Sequence, residues 1–132
     1  MVRILHFSDF HYKKDNASDF KNLAQKLSES IKGKSIDFIV FSGDLVFKDY
    51  GYDAYKTVYE FLFKPILKNC GLNEERLLIV PGNHDMQRDD ELGVIKNSLA
   101  LISTNEELED FCKSNEQVKL SMNRFKNYNK FI

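Results

Sequence analysis

The sequence contains no tryptophan, two cysteines and three histidines among its 132 residues. Cys70 and Cys112 lie far apart and form no C-x-x-C pair, which argues against a zinc or dithiol site and favours two reduced thiols. No apolar run approaches the roughly 18–20 residues that a membrane-spanning helix needs. The chain enters a β-rich segment directly after Met1, where a secretory signal would have an apolar helical region. We therefore expect a cytoplasmic protein without a membrane partner.

An excess of either charge is also missing. The 19 Lys and Arg residues nearly balance 20 Asp and Glu residues, for a formal net charge of −1. Strong non-specific attraction to nucleic acid needs an excess of Lys and Arg, so the overall charge does not indicate such a partner, although it allows a local basic patch. The length and the hydrophobic fraction of 42% fit one globular domain.

Three β-rich apolar segments alternate with helical patterns in the first two thirds of the chain. Strands are predicted at residues 2–7, 36–41 and 76–80. Helices are expected after an N-cap at Ser18 or Asp19 and around Tyr55, with Pro65 kinking the second helix or starting a new turn. This alternation is typical of an α/β sheet with right-handed crossovers. Because residues 36–41 are almost continuously apolar, that strand is expected to be covered on both faces.

The character of the sequence changes at residue 88. From there to residue 132 the pattern is helical, with possible capping boxes at Thr104 with Glu107 and at Ser114 with Gln117. No further strand is predicted in this stretch. A sheet of three strands is thin, so we expect a sheet edge or an apolar face to be exposed.

Each predicted strand ends in residues that can bind metal, within the segments HFSDFHY, VFSGDLV and IVPGNHDM. Loops at the carboxyl ends of parallel strands meet at one crevice, and carboxylate, imidazole and amide groups are ligands for Mg²⁺, Mn²⁺, iron and Zn²⁺. Each motif alone is weak, because most Asp residues at strand ends form turns or caps. The ordered set is specific: Asp9 and His11, then Asp44, then Asn83, His84 and Asp85. Asp9 and His11 would project to one side if the backbone stays extended.

In these motifs the chain resembles the calcineurin-like metallophosphoesterase family, over roughly residues 2–86. The resemblance implies an α/β fold: a β-sandwich flanked by helices, of which residues 1–87 would supply the N-terminal half. Residues 88–132 would then be a helical extension or insertion. It also implies two divalent metal ions, with Mn²⁺, iron and Zn²⁺ about equally suited and Mg²⁺ less so. The implied reaction is hydrolysis of phosphate monoesters or diesters by a metal-activated water that attacks phosphorus.

The resemblance also implies a role for each site residue. Asp9 and His11 would hold the first metal, Asp44 would bridge both metals, and Asn83 would hold the second. His84 would stabilise the transition state or protonate the leaving oxygen, while Asp85 orients its imidazole. These residue types suit the chemistry, because two cations about 3.5–4 Å apart lower the pKa of a bridging water and clamp phosphate oxygens. An imidazole oriented by a carboxylate is suited to donate a proton.

The family's later histidine ligands have no counterpart, since no histidine follows His84. His6 has the wrong parity to join Asp9 and His11 and is expected in the core or beside the site. The acidic residues 106, 107, 109 and 110 are expected on a solvated helix face.

Three explanations of the incomplete ligand set follow. The favoured one is the N-terminal part of a longer phosphoesterase, completed by the C-terminal part of the same polypeptide. The alternatives are a catalytically inactive binding or regulatory module and an oligomer that completes the site in trans. A nuclease would be a subclass of the enzyme and would need a basic, aromatic groove. Lys13, Lys14, Tyr12 and Arg88 lie near the predicted crevice, although solvated loop lysines are the commoner explanation.

Overall fold

The computed structural model describes residues 1–48, 50–87, 97 and 99–132. Within these ranges the strands are β1 (Ile4–Phe7), β2 (Phe38–Ser42) and β3 (Leu77–Val80). The α-helices are α1 (Ala17–Ser30), α2 (Tyr52–Val58), α3 (Lys64–Cys70), α4 (Asn105–Lys113), α5 (Asn115–Asn123) and α6 (Lys126–Phe131). The strands form a parallel sheet in the order β1-β2-β3. The predicted α/β architecture is confirmed in this respect.

The core lies on one face of the sheet. Ile39 and Phe41 of β2 are fully buried there, as are Val58, Leu62 and Phe63 in the helical segment after β2. Side chains of β1 and β3 on the same face pack against this core: Leu5, Phe7, Leu77 and Ile79. Alternation along each strand thus sends every second side chain into one layer of helices.

The second face of the sheet is apolar and open. Ile4, Leu78 and Val80 are 58%, 53% and 52% exposed, and Phe38 and Val40 between them are half-buried. The prediction that β2 is covered on both faces is therefore wrong for the described part of the chain. The prediction of an exposed apolar face is confirmed. A continuously apolar strand can be buried on both faces, and the described helices bury one of them.

His6 lies on this open face. Its side chain is exposed and its Nε2 is 2.7 Å from Oγ of Ser42 on the neighbouring strand. The expected core position for His6 is thus wrong, because the face that it occupies is the uncovered one. The alternative position beside the site stays a prediction.

The helical segment from Tyr52 to Cys70 is interrupted by a π-helical turn at Tyr59–Phe63. Pro65 follows as the second residue of α3 and has no N–H to continue the preceding ladder, as the sequence predicted. α1 begins at Ala17 after Asn16, so neither Ser18 nor Asp19 is its N-cap.

The C-terminal helices reach back to the end of β3. The Tyr128 hydroxyl donates to the carbonyl oxygen of Ile79 at 2.8 Å, and the N–H of Gln87 donates to the carbonyl oxygen of Arg124 at 2.8 Å. The predicted capping box of α4 is confirmed, because Thr104 Oγ1 accepts from the Glu107 N–H and the Glu107 carboxylate accepts from the Thr104 N–H. The helices in the described part are all too short or too polar to cross a membrane. Arg88 lies outside the described residues.

Candidate metal centre

Two loops at the carboxyl edge of the sheet are joined through their backbones. The N–H groups of Asp9, His11 and Tyr12 donate to the carbonyl oxygens of Gly43, Asp44 and Leu45 at 3.0, 2.9 and 3.0 Å. This pairing extends the β1–β2 ladder past the ends of both strands and brings the first two motifs side by side.

Backbone strain coincides with the candidate ligands. Asp9, His11 and Asp44 have φ values of 56°, 48° and 60°, and in the described ranges they are the non-glycine residues with positive φ. The extended backbone assumed for Asp9 and His11 is therefore wrong, although both side chains do lie on one side, opposite buried Phe10. Such conformations cost about 1–3 kcal/mol each and persist where the surrounding structure fixes them, commonly at functional sites.

Two glycines allow the loops after β2 and β3 to touch. Gly43 has φ of 106°, and a Cβ atom there would lie 3.0 Å from the Gly82 backbone. A Cβ on Gly82 would lie 2.1 Å from Oδ1 of Asp44. The G-D and G-N-H-D motifs thus need their glycines because each loop occupies the space of the other's side chain.

Three side chains converge where these loops meet. His11, Asp44 and His84 each offer a ligand atom, and these atoms lie within 4.8 Å of one another. The two imidazole rings are 4.7 Å apart and nearly perpendicular. Asp9 lies beside these three side chains, because its Oδ1 is 3.6 Å from Nε2 of His11. The same Nε2 atom is 3.9 Å from Oδ2 of Asp44.

The donor set fits a divalent cation. Oδ1 of Asp44 accepts the His84 N–H at 2.9 Å, which leaves Oδ2 facing His11. Nε2 of His11 is the ring nitrogen that faces the carboxylates of Asp9 and Asp44, while its buried Nδ1 has no hydrogen-bond partner among the described residues. Mixed oxygen and nitrogen ligands suit Mn²⁺, iron and Zn²⁺.

Asp85 is fully buried and forms hydrogen bonds with the backbone around it. Its carboxylate accepts hydrogen bonds from the N–H groups of Gly82 and Asp44 at 2.9 Å, Leu45 at 3.2 Å and Val46 at 3.3 Å. Burial raises the pKa of this carboxyl above its ordinary value, and the four N–H groups oppose that rise.

The imidazole of His84 is held by a different group. Its Nδ1 lies 2.5 Å from the carbonyl oxygen of Phe47, and the two rings stack with centroids 5.6 Å apart. A neutral imidazole that donates from Nδ1 carries its lone pair on Nε2. The Phe47 carbonyl oxygen thus lies against the imidazole, while the Asp85 carboxylate accepts from the backbone of the loop. The expected orientation of this ring by Asp85 stays a prediction.

The remaining predicted ligand, Asn83, is exposed in the short helical turn Asn83–Asp85, one residue before His84. Sequence reasoning missed Phe47 and Tyr55, whose hydroxyl donates to the Asp85 carbonyl oxygen at 3.0 Å. Phe47 acts through a backbone carbonyl, which has no signature in sequence. Tyr55 was visible only as an apolar position of α2.

Comparison with known proteins agrees with this geometry. The model of the calcineurin-like phosphoesterase family matches residues 2–131, and the chain belongs to that family of metal-dependent phosphoesterases. It is also similar to an uncharacterized metallophosphoesterase-like protein, YydB, from Bacillus subtilis (strain 168). The two are 33% identical over an alignment of 92 positions, and the match covers 67% of this chain and 18% of YydB.

Proposed function

We propose that this chain forms the N-terminal wall of a dinuclear metal centre that hydrolyses phosphate monoesters or diesters. The observation that carries the proposal is the convergence of His11, Asp44 and His84 within 4.8 Å, at the joined ends of three parallel strands. Membership of the family supports the reaction class.

The ligands divide between two ions. Asp9 and His11 would hold the first, Asp44 both, and Asn83 the second. When bound, the cations lower the pKa of a water that attacks phosphorus and offset the charge of the phosphate oxygens. Asp9, His11 and Asp44 already adopt the left-handed backbone conformation. Their side chains therefore need little rearrangement to bind the metal ions.

His84 would stabilise the transition state or deliver a proton to the leaving oxygen. The Phe47 carbonyl fixes Nδ1, so Nε2 is the nitrogen that exchanges a proton with the substrate. Asp85 would be a positioning residue, because it holds the backbone of both loops that carry Asp44 and His84.

The rest of the site is proposed to come from the C-terminal part of the same polypeptide. No histidine follows His84 in this chain, and the open apolar face of the sheet has the character of a surface that a second layer covers. Residues 1–87 would then be half of the catalytic domain, and residues 88–132 a helical extension or insertion. An inactive binding or regulatory module is the second candidate, supported by the same shortage of histidines.

Hydrolysis of bis(p-nitrophenyl) phosphate with added Mn²⁺ tests the proposal. Because the rest of the site is proposed to lie in the C-terminal part, the comparison is between the full polypeptide, its Asp44→Asn variant and an Asp53→Asn control at an exposed position of α2. Turnover that survives in the control and is lost in Asp44→Asn is the expected result. Folded protein that binds Mn²⁺ through Asp44 without turnover would favour the binding module for this chain.

A further inference from the structure

Exposed and half-buried aromatic rings and lysines line one side of the candidate metal centre. Phe47 is 41% exposed, and its ring stacks on the imidazole of His84. Its N–H donates to the carbonyl oxygen of Tyr12 at 3.0 Å, so the loop that carries Phe47 runs beside the loop that carries Lys13 and Lys14. Tyr50 follows on the same loop and is half-buried.

Lysine ammonium groups lie over the rings of both Phe47 and Tyr50. Nζ of Lys13 lies 4.1 Å from the centre of the Phe47 ring. Nζ of Lys14 and Nζ of Lys48 lie 5.4 and 5.2 Å from the centre of the Tyr50 ring. Lys14 also donates to the Tyr50 carbonyl oxygen at 3.4 Å. We name Lys13, Lys14, Phe47, Lys48 and Tyr50 the lysine–aromatic rim.

The rim has the two elements that recognise single-stranded nucleic acid. Base stacking on an aromatic ring is sequence-tolerant, and neighbouring lysines neutralise backbone phosphates. An exposed cation–π pair is worth about 0.5–1 kcal/mol, so a phosphate can draw the ammonium away and a base can take its place on the ring. A small phosphomonoester would need neither the second ring nor the third lysine.

Charge limits how strongly the rim can bind. Asp15 is exposed beside Lys14, and the chain as a whole has a formal net charge of −1. Binding must therefore come from the local pairing of rings and lysines, and its salt dependence should reflect few phosphate contacts.

We propose that the lysine–aromatic rim binds single-stranded nucleic acid next to the metal centre, so that the bond hydrolysed is a phosphodiester of that strand. This rests on the proposed phosphoesterase function and names its substrate class. The ring of Phe47 would stack a base beside the scissile phosphate, and Lys13, Lys14 and Lys48 would contact the adjoining phosphates.

The test is fluorescence anisotropy of a labelled oligothymidylate, measured in EDTA so that binding is read without hydrolysis. Lys13→Ala and Lys48→Ala should each weaken binding and lower the slope of log affinity against log salt by about 0.7. Lys34→Ala is the matched control, because Lys34 is exposed and precedes β2 at the opposite end of the sheet. Control binding should equal that of the unchanged chain.

The stacking element is tested separately. Phe47→Leu should weaken oligothymidylate binding by about fivefold or more, and Phe47→Tyr should retain it. An abasic strand of equal length should bind more weakly than oligothymidylate to the unchanged chain. Circular dichroism of each variant confirms that the fold is retained.

Equal binding by Lys13→Ala, Lys48→Ala and Lys34→Ala would overturn the proposal, as would equal binding of abasic and base-bearing strands. Hydrolysis of bis(p-nitrophenyl) phosphate by the Lys13→Ala and Lys48→Ala variants keeps the two proposals apart. Turnover of this small ester together with unchanged oligonucleotide binding would reject the rim alone. Absence of turnover in the full polypeptide, with rim-dependent binding, would reject catalysis alone.

Discussion

The carboxylate of Asp85 accepts a hydrogen bond from the backbone N–H of Asp44 at 2.9 Å, across 41 residues of sequence. The reverse connection is also present, because the Asp44 carboxylate accepts the N–H of His84 at 2.9 Å. The two loops therefore fix each other through carboxylate-to-backbone bonds. A substitution of Asp85 should therefore alter the position of Asp44, although Asp85 itself is buried.

Asp85→Asn should destabilise the fold by about 2–4 kcal/mol. The amide nitrogen cannot accept a hydrogen bond, so at least one buried backbone N–H would lose its partner and face another donor. The free energy of unfolding, from urea denaturation followed by circular dichroism, measures this loss. Asp53→Asn, at an exposed position, should cost a few tenths of a kcal/mol at most. Equal losses in the two variants would contradict the role of Asp85 in stabilising the loop backbones.

Gly82→Ala should disturb the metal centre for a steric reason alone. Gly82 has φ of −106°, which alanine tolerates, but the added methyl group would meet Asp44 Oδ1 at 2.1 Å. We expect a loss of about 1–3 kcal/mol in unfolding free energy and weaker Mn²⁺ binding. Gly33→Ala is the contrasting variant: φ is 77° and nothing lies within 4 Å, so it should cost stability and leave Mn²⁺ affinity unchanged.

His84→Gln separates proton donation from metal binding. If His84 protonates the leaving oxygen, this variant of the full polypeptide should lose turnover of a phosphodiester with an alkoxide leaving group about a hundredfold, lose much less on bis(p-nitrophenyl) phosphate, and keep most of its Mn²⁺ affinity. Calorimetric titration with Mn²⁺ gives the affinity independently of turnover. A loss of affinity as large as that of His11→Gln would assign His84 as a ligand, which its position within 4.8 Å of His11 and Asp44 would also permit.

The open sheet face should drive self-association of this chain. A Leu78→Lys and Val80→Lys double variant should stay folded, because both side chains are exposed, and should sediment closer to the monomer. Leu23→Lys is a matched control, since Leu23 is 54% exposed on α1, away from that face. Equal effects of the double variant and the control on sedimentation would argue against the face as an association surface.

The start of α4 should loosen in acid through Glu107. Hydrogen bonds from Ser103 and Thr104 lower the pKa of this carboxyl below its ordinary value of 4.5. Its folded pKa is depressed, so its contribution is fully present above the unfolded pKa and is lost as pH falls through the folded pKa. The protection factors of the Glu107 and Leu108 amides, which correct the exchange rate for its intrinsic pH dependence, should fall in that window in the unchanged chain. In Glu107→Gln, whose side-chain amide does not titrate, they should not fall in this way.

The sequence was sufficient for the sheet and for grouping the residues of the candidate metal centre. Three apolar segments with helices between them leave few topologies, and the carboxyl ends of parallel strands share one edge. Asp9, His11, Asp44 and His84 could therefore be grouped from the sequence alone.

The features that were missed depend on groups without a sequence pattern. The positive φ values of Asp9, His11 and Asp44 follow from backbone pairing between two loops. The partners of Asp85 are backbone N–H groups, and His84 is held by a carbonyl oxygen. The exposure of His6 depends on which sheet face the helices cover, and alternation along a strand cannot decide that.

The central claim is that Asp44 anchors a metal centre at the joined strand ends. Electron paramagnetic resonance of free Mn²⁺ tests it directly, because the aqueous signal falls as the ion binds. The unchanged chain and Asp53→Asn should bind Mn²⁺ equally, while Asp44→Asn binds about tenfold or more weakly, a loss of about 1.4 kcal/mol. Equal affinity in Asp44→Asn, or no Mn²⁺ binding by the folded unchanged chain, would contradict the account.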